Sequence, residues 1–152
     1  MSTTAQMPDV PAAIAVPSAT TVAVFHAIGV QIYEGKAGSD GSLAWSFREP
    51  VATLIEDGKT VGCHFAGPTW QAADGSAITA KASGNAPGAT PNDIPLLKLD
   101  VQSHKGGGIL SNVTVVQRLD TKGGVPQAPC TKAGEFCSVP YTATYVFLST
   151  DK

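Results

Sequence analysis

Charge is what this chain has least of. Asp, Glu, Lys and Arg make up 14% of its 152 residues, against about 25% in an ordinary soluble domain. The formal net charge is −2, and no run of basic residues occurs. Recruiting nucleic acid or anionic lipid needs a positive patch, so neither is an expected partner. No apolar stretch is long enough to cross a bilayer as a helix, and membrane insertion is not expected. Cysteine is sparse as well. There are three, none in a Cys-x-x-Cys pair, which excludes a zinc ribbon or a thioredoxin-like centre on spacing. A Gly-x-Ser-x-Gly elbow, a zincin motif and a dinucleotide fingerprint are missing too. Nowhere does helical periodicity run convincingly beyond three turns.

Turn residues, by contrast, are plentiful, with 16 Gly and 11 Pro. Between them lie short segments that alternate with period two. Residues 21–33 place Val22, Val24, His26, Ile28, Val30 and Ile32 on one face, and Ala23, Phe25, Ala27, Gly29, Gln31 and Tyr33 on the other. A second strand carries Leu43, Trp45 and Phe47 and is expected to break at Pro50. Residues 51–56 and 60–66 flank Asp57-Gly58, a tight-hairpin signal. That hairpin sets Val61, Cys63 and Phe65 on one face and His64 on the opposite one. Further strands are expected over 76–83, 94–101, 112–119 and 141–148, the last alternating Tyr141, Ala143, Tyr145 and Phe147. The chain therefore reads as all-β: a single-domain antiparallel β-barrel or β-sandwich with long loops over 21–152. An extended or disordered arm is expected over 1–20.

Cys130 and Cys137 lie close together in a long Pro- and Gly-containing loop, where a disulfide is sterically allowed. Cys63, among Val61 and Phe65, reads as a buried, inert thiol, with pairing to a loop cysteine as the competing reading. The opening residues lack a basic n-region and so are not a signal peptide as written. The chain is read as the mature form of a secreted or periplasmic protein, and the expected disulfide suits an oxidising compartment.

Several phrases read together in order. They are Gly29-Val30-Gln31-Ile32-Tyr33, His64-Phe65-Ala66-Gly67-Pro68-Thr69-Trp70 with Asp74-Gly75-Ser76, and Ile94-Pro95-Leu96-Leu97. Val116-Gln117-Arg118-Leu119 with Thr121-Lys122-Gly123-Gly124, and Pro140-Tyr141-Thr142-Ala143, complete the set. Across about residues 21–148 the chain resembles the uncharacterised DUF3455 family of bacterial and fungal proteins. The resemblance implies export and supplies no catalytic residues. Many relatives carry a cysteine just after the Gln-Ile-Tyr phrase, where this chain has Glu34 and Gly35, so their disulfide scheme does not transfer. Leu96 stands where relatives often have tryptophan.

The residues able to carry chemistry cluster around the His64–Asp74 segment. Asp74 would orient His64 if the protein were an enzyme with His64 as base, although Asp-Gly is also simple turn chemistry. His26, on an apolar face, is either a hydrogen-bonded core residue or a pocket ligand. Trp70, Tyr33 and Tyr145 offer apolar contact with a polar tip, Gln31 offers an amide, and Arg118 alternates with valines. An inward Arg118 would select carboxylate or phosphate through its fork, while an outward one would form a surface ion pair. His26, His64 and His104 form a weak copper or zinc alternative without short ligand spacing, and no cofactor is otherwise expected. Three functions follow: binding of an unidentified small molecule, acid–base catalysis at His64, or a structural or stress-related exported module.

Overall fold

A computed structural model describes residues 10–150. Eight antiparallel strands follow one another: β1 (Thr20–Ala37), β2 (Leu43–Glu56), β3 (Lys59–Phe65), β4 (Thr69–Ala72), β5 (Ala77–Ala86), β6 (Leu96–Lys105), β7 (Val115–Gly123) and β8 (Phe136–Ser149). Each pairs with the next, and β8 returns to β1, so the sheet closes into a barrel rather than splitting into a sandwich. Among the described residues the one helical element is a 3-10 turn, Ala12–Ile14, and no helix is long and apolar enough to cross a membrane.

The turns form where the chain dictates them. Asp57 (φ 53°) and Gly58 (φ 78°) are both left-handed, the mirror-image turn whose twist matches a tight hairpin. Asp74 turns the chain between β4 and β5 by accepting from the Ser76 N–H (2.9 Å) and hydroxyl (2.6 Å). Pro50 does not end its strand, contrary to expectation. It pairs with Gln31 on β1, while β3 reaches along β2 only as far as Ala52. On that side of Pro50 there is no ladder to need its missing N–H.

An up-and-down barrel has two ends. The 38–42, 66–68, 87–95 and 124–135 connections lie at one, and the Asp57-Gly58, Asp74-Gly75 and 106–114 connections at the other. The second end is plugged. Leu110 and Val113 of the 106–114 loop are fully buried in the interior cluster with Phe25, Leu54, Ile78 and Phe147. Asp74 and the Ser76 hydroxyl fasten that loop by accepting from the Ile109 and Leu110 N–H groups at 2.7 and 3.2 Å.

The interior is narrow, and small side chains line much of it: Ala23, Ala27, Ala52, Ala80 and Ala143 all face inward. The β-branched face of β1 is consequently the outer one. Val24 and Ile28 are exposed, and His26 goes outward with them. This corrects the apolar-face reading of His26. The same inversion turns Cys63 and Phe65 outward and His64 inward, so Cys63 is exposed rather than buried.

A second apolar cluster lies outside the barrel. Ile14 and Val16 cover Val115, Leu119, Val146 and Leu148 on β7 and β8. The Gln117 side-chain amide donates to the Ile14 carbonyl at 2.8 Å beneath this cover. Residues 1–9 of the expected extended or disordered arm lie outside the described residues; residues 10–19 are docked on the barrel.

Candidate functional site

His64 stands on β3 directly opposite Trp70 on β4, and the two rings stack with centroids 4.5 Å apart and planes 21° apart. Both side chains point into the barrel because they share one pleat face across a hairpin. Tyr145, inward from β8, closes the group, 5.0 Å from the imidazole centroid and edge-on to the indole.

The protons in this group can be placed. The Thr69 carbonyl, 2.9 Å from His64 Nδ1, can only accept, so Nδ1 carries a hydrogen. Burial holds His64 neutral, with its pKa lowered from 6.5 to about 4. The Thr69 bond acts against that lowering, and the Arg118 charge adds to it. Nε2 is therefore bare and accepts from the Tyr145 hydroxyl at 3.2 Å. Tyr145 has then spent its proton, so the Tyr141 hydroxyl donates to the Tyr145 oxygen, also at 3.2 Å. Desolvation raises the pKa of both phenols, which stay protonated.

Above this group is a cavity of about 290 Å³ at the unplugged end. His64, Trp70, Tyr145, Gln31 and Arg118, each a candidate from the sequence, line it together. The apolar remainder comes from Phe47, Pro50, Pro68, Leu97 and Leu99, together with Ala82 and the stem of Arg48. These the sequence reading missed. Phe47 was visible as a strand residue and Pro50 as an expected break, but nothing local shows that both reach the cavity lining.

Arg118 enters the barrel from β7 beside Val116. Its Nε and Nη2 donate to the Pro95 carbonyl at 3.0 and 2.8 Å. The surface ion pair expected of an outward Arg118 is not formed. The ion pairs among the described residues join Lys36 to Glu34, and Arg48 to Glu34 and Glu49. Two buried polar atoms on cavity-lining side chains, Gln31 Oε1 and Trp70 Nε1, have no hydrogen-bond partner among the described residues.

The other sequence candidates fall elsewhere. Tyr33 lies behind the cavity wall, edge-on to Phe47, and its hydroxyl donates to the Gly124 carbonyl at 2.5 Å. Asp74 is at the plugged end with its carboxylate committed to Ser76 and Ile109, so the supposed His64–Asp74 pair does not exist; the Thr69 carbonyl takes the orienting place. His26 meets Thr144 on the outer surface, and His104 meets the Val113 carbonyl. The three histidines thus lie on different faces and assemble no metal set. Cys130 and Cys137 are free thiols, which corrects the expected disulfide. Cys137 is fixed within β8 opposite Tyr33, while the Cys130 sulfur is turned to the Lys132 carbonyl.

No curated protein matches this chain, and no solved structure does. A family model does, covering residues 17–149, from the docked arm to the end of β8. The chain belongs to the family described as Protein of unknown function (DUF3455).

Proposed function

We propose that this protein binds a small molecule in the cavity at the unplugged end of its barrel. The observation that carries the reading is the division of the interior. One half is filled by Leu110, Phe25 and Phe147, while the other keeps about 290 Å³ open above His64 and Trp70. A purely structural barrel gains by filling that space, since protein interiors pack to crystal density. The volume sits near the lower bound of about 300 Å³ usual for ligand sites, and its few polar groups on an apolar lining suit such a site.

Nothing favours the acid–base alternative. Both His64 nitrogens are engaged, and a histidine with a pKa near 4 is a weak base at neutral pH. A secreted or periplasmic location belongs to the same proposal and rests on the resemblance described above.

Benzamide, a neutral planar probe, tests the reading by calorimetric titration. We expect saturable uptake of one molecule per chain. Ala82→Phe, which narrows the lining, should weaken it at least about tenfold. Equal uptake by the variant, or absence of saturable uptake of benzamide and of its charged analogues alike, would remove the proposal.

A further inference from the structure

Inside the cavity there is a cation with no counter-ion. Arg118 projects from β7 among Leu97, Leu99 and Tyr145. The other arginine of the lining, Arg48, is already held by Glu34 at 3.2 Å and Glu49 at 3.3 Å. No carboxylate of the described residues pairs with Arg118; its nearest neutral partner is the Pro95 carbonyl. Two of the five guanidinium N–H groups go there. The facing groups, His64 and Tyr145, are neutral, so nothing on the wall offsets the charge. A cation so placed, partly out of water and beside aromatic surface, favours an entering anion strongly.

Resting on the binding reading above, we infer that the ligand is a small organic monoanion: a carboxylate on a flat apolar body, its charge on Arg118 and its body against the His64–Trp70 stack. Size and charge narrow the class. At about 30 Å³ per water-sized volume, the cavity takes roughly ten non-hydrogen atoms. One unpaired cation matches one negative charge better than the two of a phosphate ester. The planar guanidinium fork matches the planar carboxylate.

Benzoate, benzamide and phenyl phosphate separate the outcomes, because the first two differ in charge while nearly sharing a shape. In the unaltered protein at low salt, benzoate should bind at least about tenfold tighter than benzamide, as a charge-assisted hydrogen bond allows. That preference should shrink as salt is added, and phenyl phosphate should bind no better than benzoate. In Arg118→Met the benzoate-to-benzamide ratio should fall to about one, with Arg118→Lys between the two. Saturable benzamide binding with no benzoate preference would overturn the anion assignment and leave the cavity reading standing. Tighter phenyl phosphate binding would overturn the monoanion. Failure of all three probes to bind would overturn the cavity reading and this inference with it. The comparison in the unaltered protein decides the matter even if the Arg118 variants fold poorly.

Discussion

At the scale of single residues, His64 is the group whose chemistry the fold changes most. Its pKa is lower folded than unfolded, so acidification lets the unfolded chain take up a proton that the folded chain refuses. Stability from this source is complete above pH 6.5 and is lost progressively down to about pH 4. The difference corresponds to about 3 kcal/mol. The carboxylates of Asp40, Asp74 and Asp93, whose pKa values are lowered chiefly by hydrogen bonds, add their losses only at lower pH, near and below 3.8. Denaturant midpoints from pH 7 to 4 should therefore fall more steeply for the unaltered protein than for His64→Gln. Parallel curves would show that His64 is not buried neutral. The sequence told which way His64 alternates with Cys63, but not which face is inside. Hydrophobicity misleads there, because a narrow barrel fills its interior with Ala23, Ala27 and Ala52 and leaves Ile28 and Phe65 in water.

At the scale of elements, periodicity and turn chemistry carried the reading well. The Asp57-Gly58 hairpin and the alternation of Tyr141, Ala143, Tyr145 and Phe147 along β8 stand as expected, and the structure makes that face the inner one. What was illegible is contact between segments distant in sequence. Val146 and Leu148 are apolar because Ile14 and Val16 cover them, and no local signal in β8 names that cover. The loop between β7 and β8 gives a second case. A Cβ added at Gly35 would lie 2.5 Å from the Cys130 sulfur and equally close to the Lys132 carbonyl. The position near which relatives carry a cysteine thus faces this chain's unpaired thiol. Gly35→Cys should form a disulfide with Cys130 on mild oxidation, once the loop shifts to free the Lys132 carbonyl. Closing a loop of about 95 residues would contribute up to about 4.5 kcal/mol in the chain-entropy limit, less whatever the displaced loop costs. A mass lower by about 2 Da and a higher midpoint in the oxidised form alone would verify the link. Persistent free thiols under oxidant would mean that the loop cannot yield.

The whole molecule is an asymmetric object: a barrel filled at one end and hollow at the other. Substitutions of equal size should report that asymmetry. Leu110→Ala removes a fully buried plug and should cost about 2–5 kcal/mol. Leu97→Ala, on the partly open cavity wall, should cost less than about 1.5 kcal/mol, because fewer of its contacts are lost. Equal losses in urea unfolding would mean that both ends are packed alike. Antiparallel order followed from the turns, but closure did not, nor did the division into strands: β2 runs through Pro50, and β4 (Thr69–Ala72) was not read. Only the pairing of Thr20 with Ser149 and of Glu34 with Phe136 shows that the first and last strands meet.

That meeting sets the order of events during synthesis. β1 pairs with β8, its neighbour on one side, from Thr20 to Glu34, yet β8 is the last of the eight strands to be made. Throughout translation the nascent sheet keeps a raw edge at each margin, open to pairing with other chains. Sealing must wait until β8 has been made, and until then the seam that the closed barrel no longer shows lies open.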